Sequence, residues 1–109
     1  MEINERQVEG WFVLAPQGKI TLGHGAQELS EAMGRAVDQG HHNLILDCTG
    51  VLFLDSSGLG SLVKGHMTVK AAGGEVRLFG VNSRVYSLLQ MTNFHTVVKI
   101  LATEEEALA

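Results

Sequence analysis

The spacing of apolar residues changes several times along this chain, and each change marks an element. Ile3 to Val8 and Trp11 to Ala15 read as two strands joined by Glu9-Gly10, a hairpin turn. The polar, glycine-rich stretch from Gln17 to Gly25 carries no period and reads as a loop. Ala26, Leu29, Ala32, Met33, Ala36 and Val37 then recur at helical spacing, closed by Gly40. Leu44-Ile45-Leu46 is an unbroken apolar triplet, as in a strand covered on both faces, and Val51 to Leu54 continues or flanks it. Leu59, Leu62, Val63, His66, Met67 and Lys70 predict a second helix, ending near Ala72-Gly73-Gly74. Glu75 to Phe79 alternates like a strand. Asn82 or Ser83 caps a third helix carrying Val85, Leu88, Leu89 and Met91, and Val97 to Leu101 reads as the last strand. Thr103 with Glu106 forms a capping-box signature for a short final helix.

From about residue 43 onward strand and helix alternate. Right-handed crossovers then give an α/β fold, a parallel or mixed sheet with helices packed on it. Binding sites in such sheets form at the carboxyl ends of the strands. Three polar or flexible loops belong there: Gly18 to Gly25, Asp55 to Gly58, and Gly80 to Ser83.

Composition narrows the function. A chain of 109 residues with 45% apolar composition is expected to form one domain, residues 1–109. It has no apolar run of the ~18 residues that a membrane span needs, and its polar, charged first residues do not read as a signal peptide. The expectation is a cytoplasmic protein without membrane insertion. The single Cys48 fits a reducing compartment. Eight basic residues are scattered under a net charge of −4, which gives no basic face for nucleic acid.

The most informative stretch is Asp55-Ser56-Ser57-Gly58-Leu59-Gly60, a hydroxyl pair where a helix begins. Unpaired N–H groups and the helix dipole favour negative charge there. The serines could serve as a helix cap, a nucleophile, a phosphate cradle or a phosphorylation switch. The nucleophile elbow fails, because its glycine positions hold Asp55 and Leu59 around Ser57, or Leu54 and Gly58 around Ser56. The glycine-rich nucleotide fingerprint breaks at Val63, and after Gly23-His24-Gly25 it breaks at Glu28. A cap needs neither Gly58 nor Gly60, and both weaken a helix; a second surface approaching closely would account for them. A phosphate on Ser56 would suit the helix dipole, whereas a partner docked there would bury about two negative charges, so one modification could dismiss it.

Other features read as structure. His41-His42 suits a solvated loop better than a metal site, no third ligand being near. His66 reads as a half-buried helix residue and Cys48 as a small packed hydrophobe. Trp11, Phe12 and Phe79 read as core or sheet edge, and Glu104 to Glu106 suit the N-terminus of the last helix.

The order of elements, the apolar run into Asp55-Ser56-Ser57-Gly58-Leu59-Gly60, Ala72-Gly73-Gly74-Glu75 before a strand, Val85 to Met91, and Gly18-Lys19-Ile20 resemble the STAS domain, shared by sulphate transporters and anti-sigma factor antagonists. The resemblance covers nearly the whole chain. It implies the STAS fold, a mixed, largely parallel sheet of four to five strands with helices against it. It further implies an anti-sigma factor antagonist, not an enzyme and without a cofactor. Such a protein binds an anti-sigma factor that is also a serine kinase, is released when phosphorylated on the serine after the aspartate, and is restored by a PP2C-type phosphatase. That serine is Ser56 here, with Ser57 as the fallback. Gly23, His24, Gly25, Asp55, Ser56, Ser57, Gly58, Leu59, Gly60 and Asn82 would form the partner-binding surface. The alternative within the family is a non-phosphorylated scaffold subunit of a lipid ABC transporter or a signalling assembly. Many members carry a Leu-Asp pair before the first helix; this chain reads Ile20-Thr21-Leu22-Gly23-His24-Gly25, with no acidic residue until Glu28.

Overall fold

A computed structural model describes residues 1–109. Its strands are β1 (Ile3–Val8), β2 (Trp11–Pro16), β3 (Gly18–Ile20), β4 (Asn43–Asp47), β5 (Val51–Leu54), β6 (Glu75–Phe79) and β7 (Lys99–Leu101). Its helices are α1 (Ala26–Asp38), α2 (Ser56–Ala71), α3 (Ser83–Met91) and α4 (Glu104–Leu108), with a 3-10 turn at Phe94–Thr96. The five-stranded sheet has the order β1-β2-β4-β6-β7. Its β1–β2 pair is antiparallel and the remaining pairs are parallel. The Glu9-Gly10 hairpin is present, with both turn residues at positive φ, 51° and 87°, as a type I′ turn requires.

Side chains of the central strands alternate between two faces. Leu14, Leu44, Leu46, Val76 and Leu78 join Leu29, Met33, Leu62, Val69 and Leu89 in the main core, under α1, α2 and α3. Val13, Ile45 and Phe79 point the other way and meet Ala107 of α4. Both sides of β4 are thereby sealed, which is why Leu44-Ile45-Leu46 needs no polar residue.

Four local expectations are corrected. The Gln17–Gly25 stretch is not all loop: Gly18–Ile20 pairs in parallel with Val51–Leu54. Those two strands form a sheet of their own, so β5 neither continues β4 nor flanks it. The last strand starts at Lys99, because the Val97 and Val98 N–H groups donate back to the Phe94 carbonyl at 3.0 and 3.3 Å and close the 3-10 turn instead of joining the ladder. The buried face of α2 is Gly58, Ser61, Leu62, Gly65 and Val69, with Leu59 and Val63 half-buried beside it, while Met67 at the end of the expected stripe is 63% exposed. Small residues face inward because α2 lies close on its neighbours, and a Cβ on Gly65 would press into Met33 of α1.

His41 also departs from a solvated loop. Its ring is half-buried, stacked on Phe12 at 4.0 Å between centroids. Thr103 caps α4 by accepting from the Glu106 N–H at 3.2 Å, and Glu106 accepts from the Ala102 N–H at 3.0 Å, one residue outside a standard capping box.

Candidate functional site

Asp55 follows β5 and divides its two carboxylate oxygens between two elements. Oδ1 accepts from the Gly58 N–H at 2.8 Å and caps α2, while Oδ2 accepts from the Leu22 N–H at 3.1 Å. These backbone bonds, that of Gly58 first, hold the carboxyl below the usual carboxylate range. The cap is therefore Asp55 and not a serine. A carboxylate can serve two donors at once and carries the charge that a helix N-terminus favours.

Ser56 and Ser57 are left as the first two helical residues. Ser56 is exposed, Ser57 is half-buried, and neither hydroxyl is engaged by a protein group. The hydroxyl of Ser61, one turn on, is buried and donates to the Gly58 carbonyl at 2.8 Å. Only Ser56 combines exposure with the first turn of the helix.

Gly58 and Gly60 separate in role. A Cβ on Gly58 would collide with the Ile20 carbonyl oxygen, which also accepts from the Asp55 N–H at 3.3 Å. The close surface expected at Gly58 is the chain's own β3. Gly60 is exposed with open space around its Cα. It lines a groove of 400 Å³ between α1 and α2, with Gln27, Glu31, Ser57 and Lys64.

The loop before α1 closes on itself: Thr21 N–H donates to the His24 carbonyl at 2.7 Å, and His24 N–H donates back at 3.0 Å. Gly23 and Gly25 adopt the left-handed φ values of 79° and 96° that this turn needs. The turn exposes Leu22, Gly23 and His24, whereas Gly25 is buried beneath it.

Asn82 ties in the third loop. Its Oδ1 caps α3 by accepting from the Val85 N–H at 2.8 Å. Its Nδ2 donates to the Val51 and Leu52 carbonyls of β5 at 3.2 and 3.0 Å. The expected cluster of three loops is thus a hydrogen-bonded unit, with Asp55 joining the first to the second and Asn82 the third to β5.

Sequence reasoning missed four members of this surface. Leu22 and Leu52 are 80% and 59% exposed. Arg84 and Lys19 lie over the Phe53 ring, 4.5 and 5.8 Å from its centroid. The available signal was a leucine bounded by glycine, with no helical partner, in a polar loop. Cys48 has no part in this chemistry, since burial pushes its thiol up to about 12. No group of three or more His, Cys, Asp or Glu side chains converges as a metal site, and no helix is long and apolar enough to cross a membrane.

The STAS domain family model matches residues 2–107, so this chain belongs to the STAS family. The chain is 32% identical over 108 residues to an anti-sigma-B factor antagonist of Listeria monocytogenes, covering 97% of this chain and 91% of that protein. Among solved structures, an anti-sigma factor antagonist from Mycobacterium paratuberculosis superimposes with a TM-score of 0.87 at 21% identity, over 98% of this chain and 90% of that one. The Bacillus cell fate determinant SpoIIAA in its phosphorylated form gives a TM-score of 0.75 at 21% identity, over 98% and 96%.

Proposed function

We propose that this chain is an anti-sigma factor antagonist whose partner is released by phosphorylation of Ser56. The observation that carries this reading is the division of labour at the start of α2. Asp55 does the capping, so the exposed Ser56 hydroxyl has no structural task and can accept a phosphate without loss of the helix end. The Listeria relative named an antagonist supports the role, and the phosphorylated form of SpoIIAA shows that a protein of this fold carries the modification.

The partner would be an anti-sigma factor that is also a serine kinase. In its reaction Ser56 Oγ bonds to the γ-phosphorus of ATP, the bond from that phosphorus to ADP breaks, and the hydroxyl proton passes to a base of the kinase. A PP2C-type phosphatase would hydrolyse the ester. In that cycle the chain is substrate and binder, not catalyst.

The energetics are asymmetric. In the free protein a phosphate at a helix N-terminus is favoured by about 0.3–1 kcal/mol. In a complex the same group is pressed against a partner, and burying its charge without a basic mate costs several kcal/mol. Each 1.4 kcal/mol is a factor of ten, so one phosphate weakens the complex by hundreds-fold. The docking face comprises the exposed Leu22, His24, Leu52 and Gly60 around Ser56.

The test is fragment-ion mass spectrometry on protein purified from its native cells with phosphatases inhibited, paired with binding of Ser56 variants to the co-purified kinase. A phosphate on Ser56, persistent binding by Ser56→Ala and poor binding by Ser56→Asp are expected. A phosphate on Ser57 alone would move the switch by one residue. An unmodified mass across growth conditions, with a membrane permease as the co-purifying protein, would replace the switch by the scaffold reading.

A further inference from the structure

The face around Ser56 is charged unlike the rest of the molecule. It is built from Gly18 to Gly25, Val51 to Gly60 and Gly80 to Arg84. The chain has twelve acidic residues and a net charge of −4, yet only Asp55 of those twelve falls in these segments. Both of its carboxylate oxygens are occupied by backbone N–H groups. Lys19 and Arg84, both exposed, converge on one half-buried ring, that of Phe53. Lys19 reaches it as the residue opposite Phe53 in the β3–β5 register, and Arg84 reaches it from α3. Neither forms an ion pair.

This placement is unfavourable within the chain by itself. Arg84 stands in the first turn of α3, where a cation works against the helix dipole and no acidic residue accompanies it. Two like charges brought to one ring also repel. The ring face attracts each cation but leaves their N–H donors unused. Beside them runs a groove of 460 Å³, lined by Gly18, Lys19, Thr21, His24 and the exposed Leu52. That lining holds no carboxylate, and Leu52 gives it an apolar anchor.

We propose that this groove and the Lys19–Phe53–Arg84 patch seat an acidic segment of the partner protein, its carboxylates on Lys19 and Arg84 and an apolar side chain against Leu52. This docking rests on Ser56 being the switch, and it adds the chemistry of what seats beside it. Ser56 follows Phe53 by three positions. Once the partner's carboxylates hold both cations, a phosphate on Ser56 has no basic mate left and faces like charge. Charge complementarity thus selects the partner and sharpens its release.

The test is an NMR titration of the full chain with an acetylated, amidated peptide that has leucine between two pairs of glutamates. The same peptide with glutamines is the neutral control. Saturable shifts at Lys19, His24, Leu52 and Arg84 are expected with the glutamate peptide, and at least about tenfold weaker binding of the glutamine one. Lys19→Gln combined with Arg84→Gln should weaken the acidic peptide about tenfold. Lys70→Gln combined with Lys99→Gln makes the same change of net charge away from the groove and should leave its affinity unaltered. All four side chains are exposed, so both double variants should keep the dispersed spectrum of the folded protein. No saturable shift at millimolar glutamate peptide, equal binding of the two peptides, or equal weakening by both double variants would overturn the proposal. Binding of phosphatidylglycerol vesicles through these residues, without binding of the peptide, would assign the patch to a membrane surface and overturn it too. A phosphate on Ser56 alongside any of these failures would leave the switch standing. Peptide binding by a chain whose Ser56 is never phosphorylated would keep the acid-binding groove and remove the switch.

Discussion

The Asp55 carboxylate accepts the Leu22 N–H at 3.1 Å across 33 residues of sequence while its other oxygen caps α2. One side chain therefore sets both the start of the helix that carries Ser56 and the turn that faces it. The loop before the first helix has no acidic residue of its own until Glu28, yet a carboxylate organises it, supplied from the far side.

Asp55→Ala removes both bonds and should lower the unfolding temperature at neutral pH more than Asp55→Asn does, since an asparagine still caps. The pH dependence has a definite sign. The Asp55 pKa is lowered on folding, so its contribution is present above the ordinary carboxylate value and is lost as pH falls through the lowered one. Glu28 and Glu104 are lowered too, by the Met1 amino group and by Arg6, and weaken in the same acid range. Urea unfolding at pH 7 and pH 3 should show the parent losing more stability than Asp55→Asn. Equal losses would remove Asp55 from the acid limb.

Gly58→Ala and Gly60→Ala should diverge although they stand two positions apart. The first forces a methyl onto the Ile20 carbonyl and should cost about 1–3 kcal/mol, as overpacking does. The second meets nothing and should stabilise by about 0.5–1 kcal/mol, the helix preference for alanine. Chemical denaturation separates them. Gly60→Ala should also weaken the anti-sigma partner, because the groove beside Ser57 narrows.

Leu22→Ser and Leu52→Ser should leave the melting temperature within a degree or so, both side chains being exposed. Their effect should appear in partner affinity, about tenfold or more each if they anchor the interface. Calorimetry with the co-purified anti-sigma factor reads this, and unchanged affinity in both would place the docking face elsewhere.

Asn82→Ala uncaps α3 and releases β5 at once. A loss of about 1–2 kcal/mol is expected from the cap alone. Amide exchange should rise at Val85 and through β5. Protection unchanged in β5 would show that the Nδ2 bonds to Val51 and Leu52 do not hold that strand.

Cys48 should react with a thiol reagent only as fast as the native fold opens. Its buried thiol, pushed up to about 12, carries almost no thiolate at neutral pH. Labelling as fast as in the unfolded chain would contradict that burial.

Much of this was legible in the sequence, for a physical reason. Binary periodicity and turn chemistry act over a few residues, so the hairpin at Glu9-Gly10, the sealed strand at Leu44–Leu46, the α1 stripe and a cap at Asn82 or Ser83 could be read directly, the structure choosing Asn82. The family followed from the order of elements and a few short motifs, that from Asp55 to Gly60 being the most specific. The tertiary structure decided what depends on distant neighbours. Gly58 is required because Ile20, from another strand, reaches α2; no spacing within the helix encodes that. Asp55 takes the cap from the serines because Leu22 offers it a second donor. Gly18–Ile20 becomes a strand only because β5 is there to pair with it. Likewise His66 meets the Phe94 ring edge-on at 5.9 Å only because α2 and the 3-10 turn pack together. Local pattern fixes elements, whereas long-range contact assigns the task of each side chain.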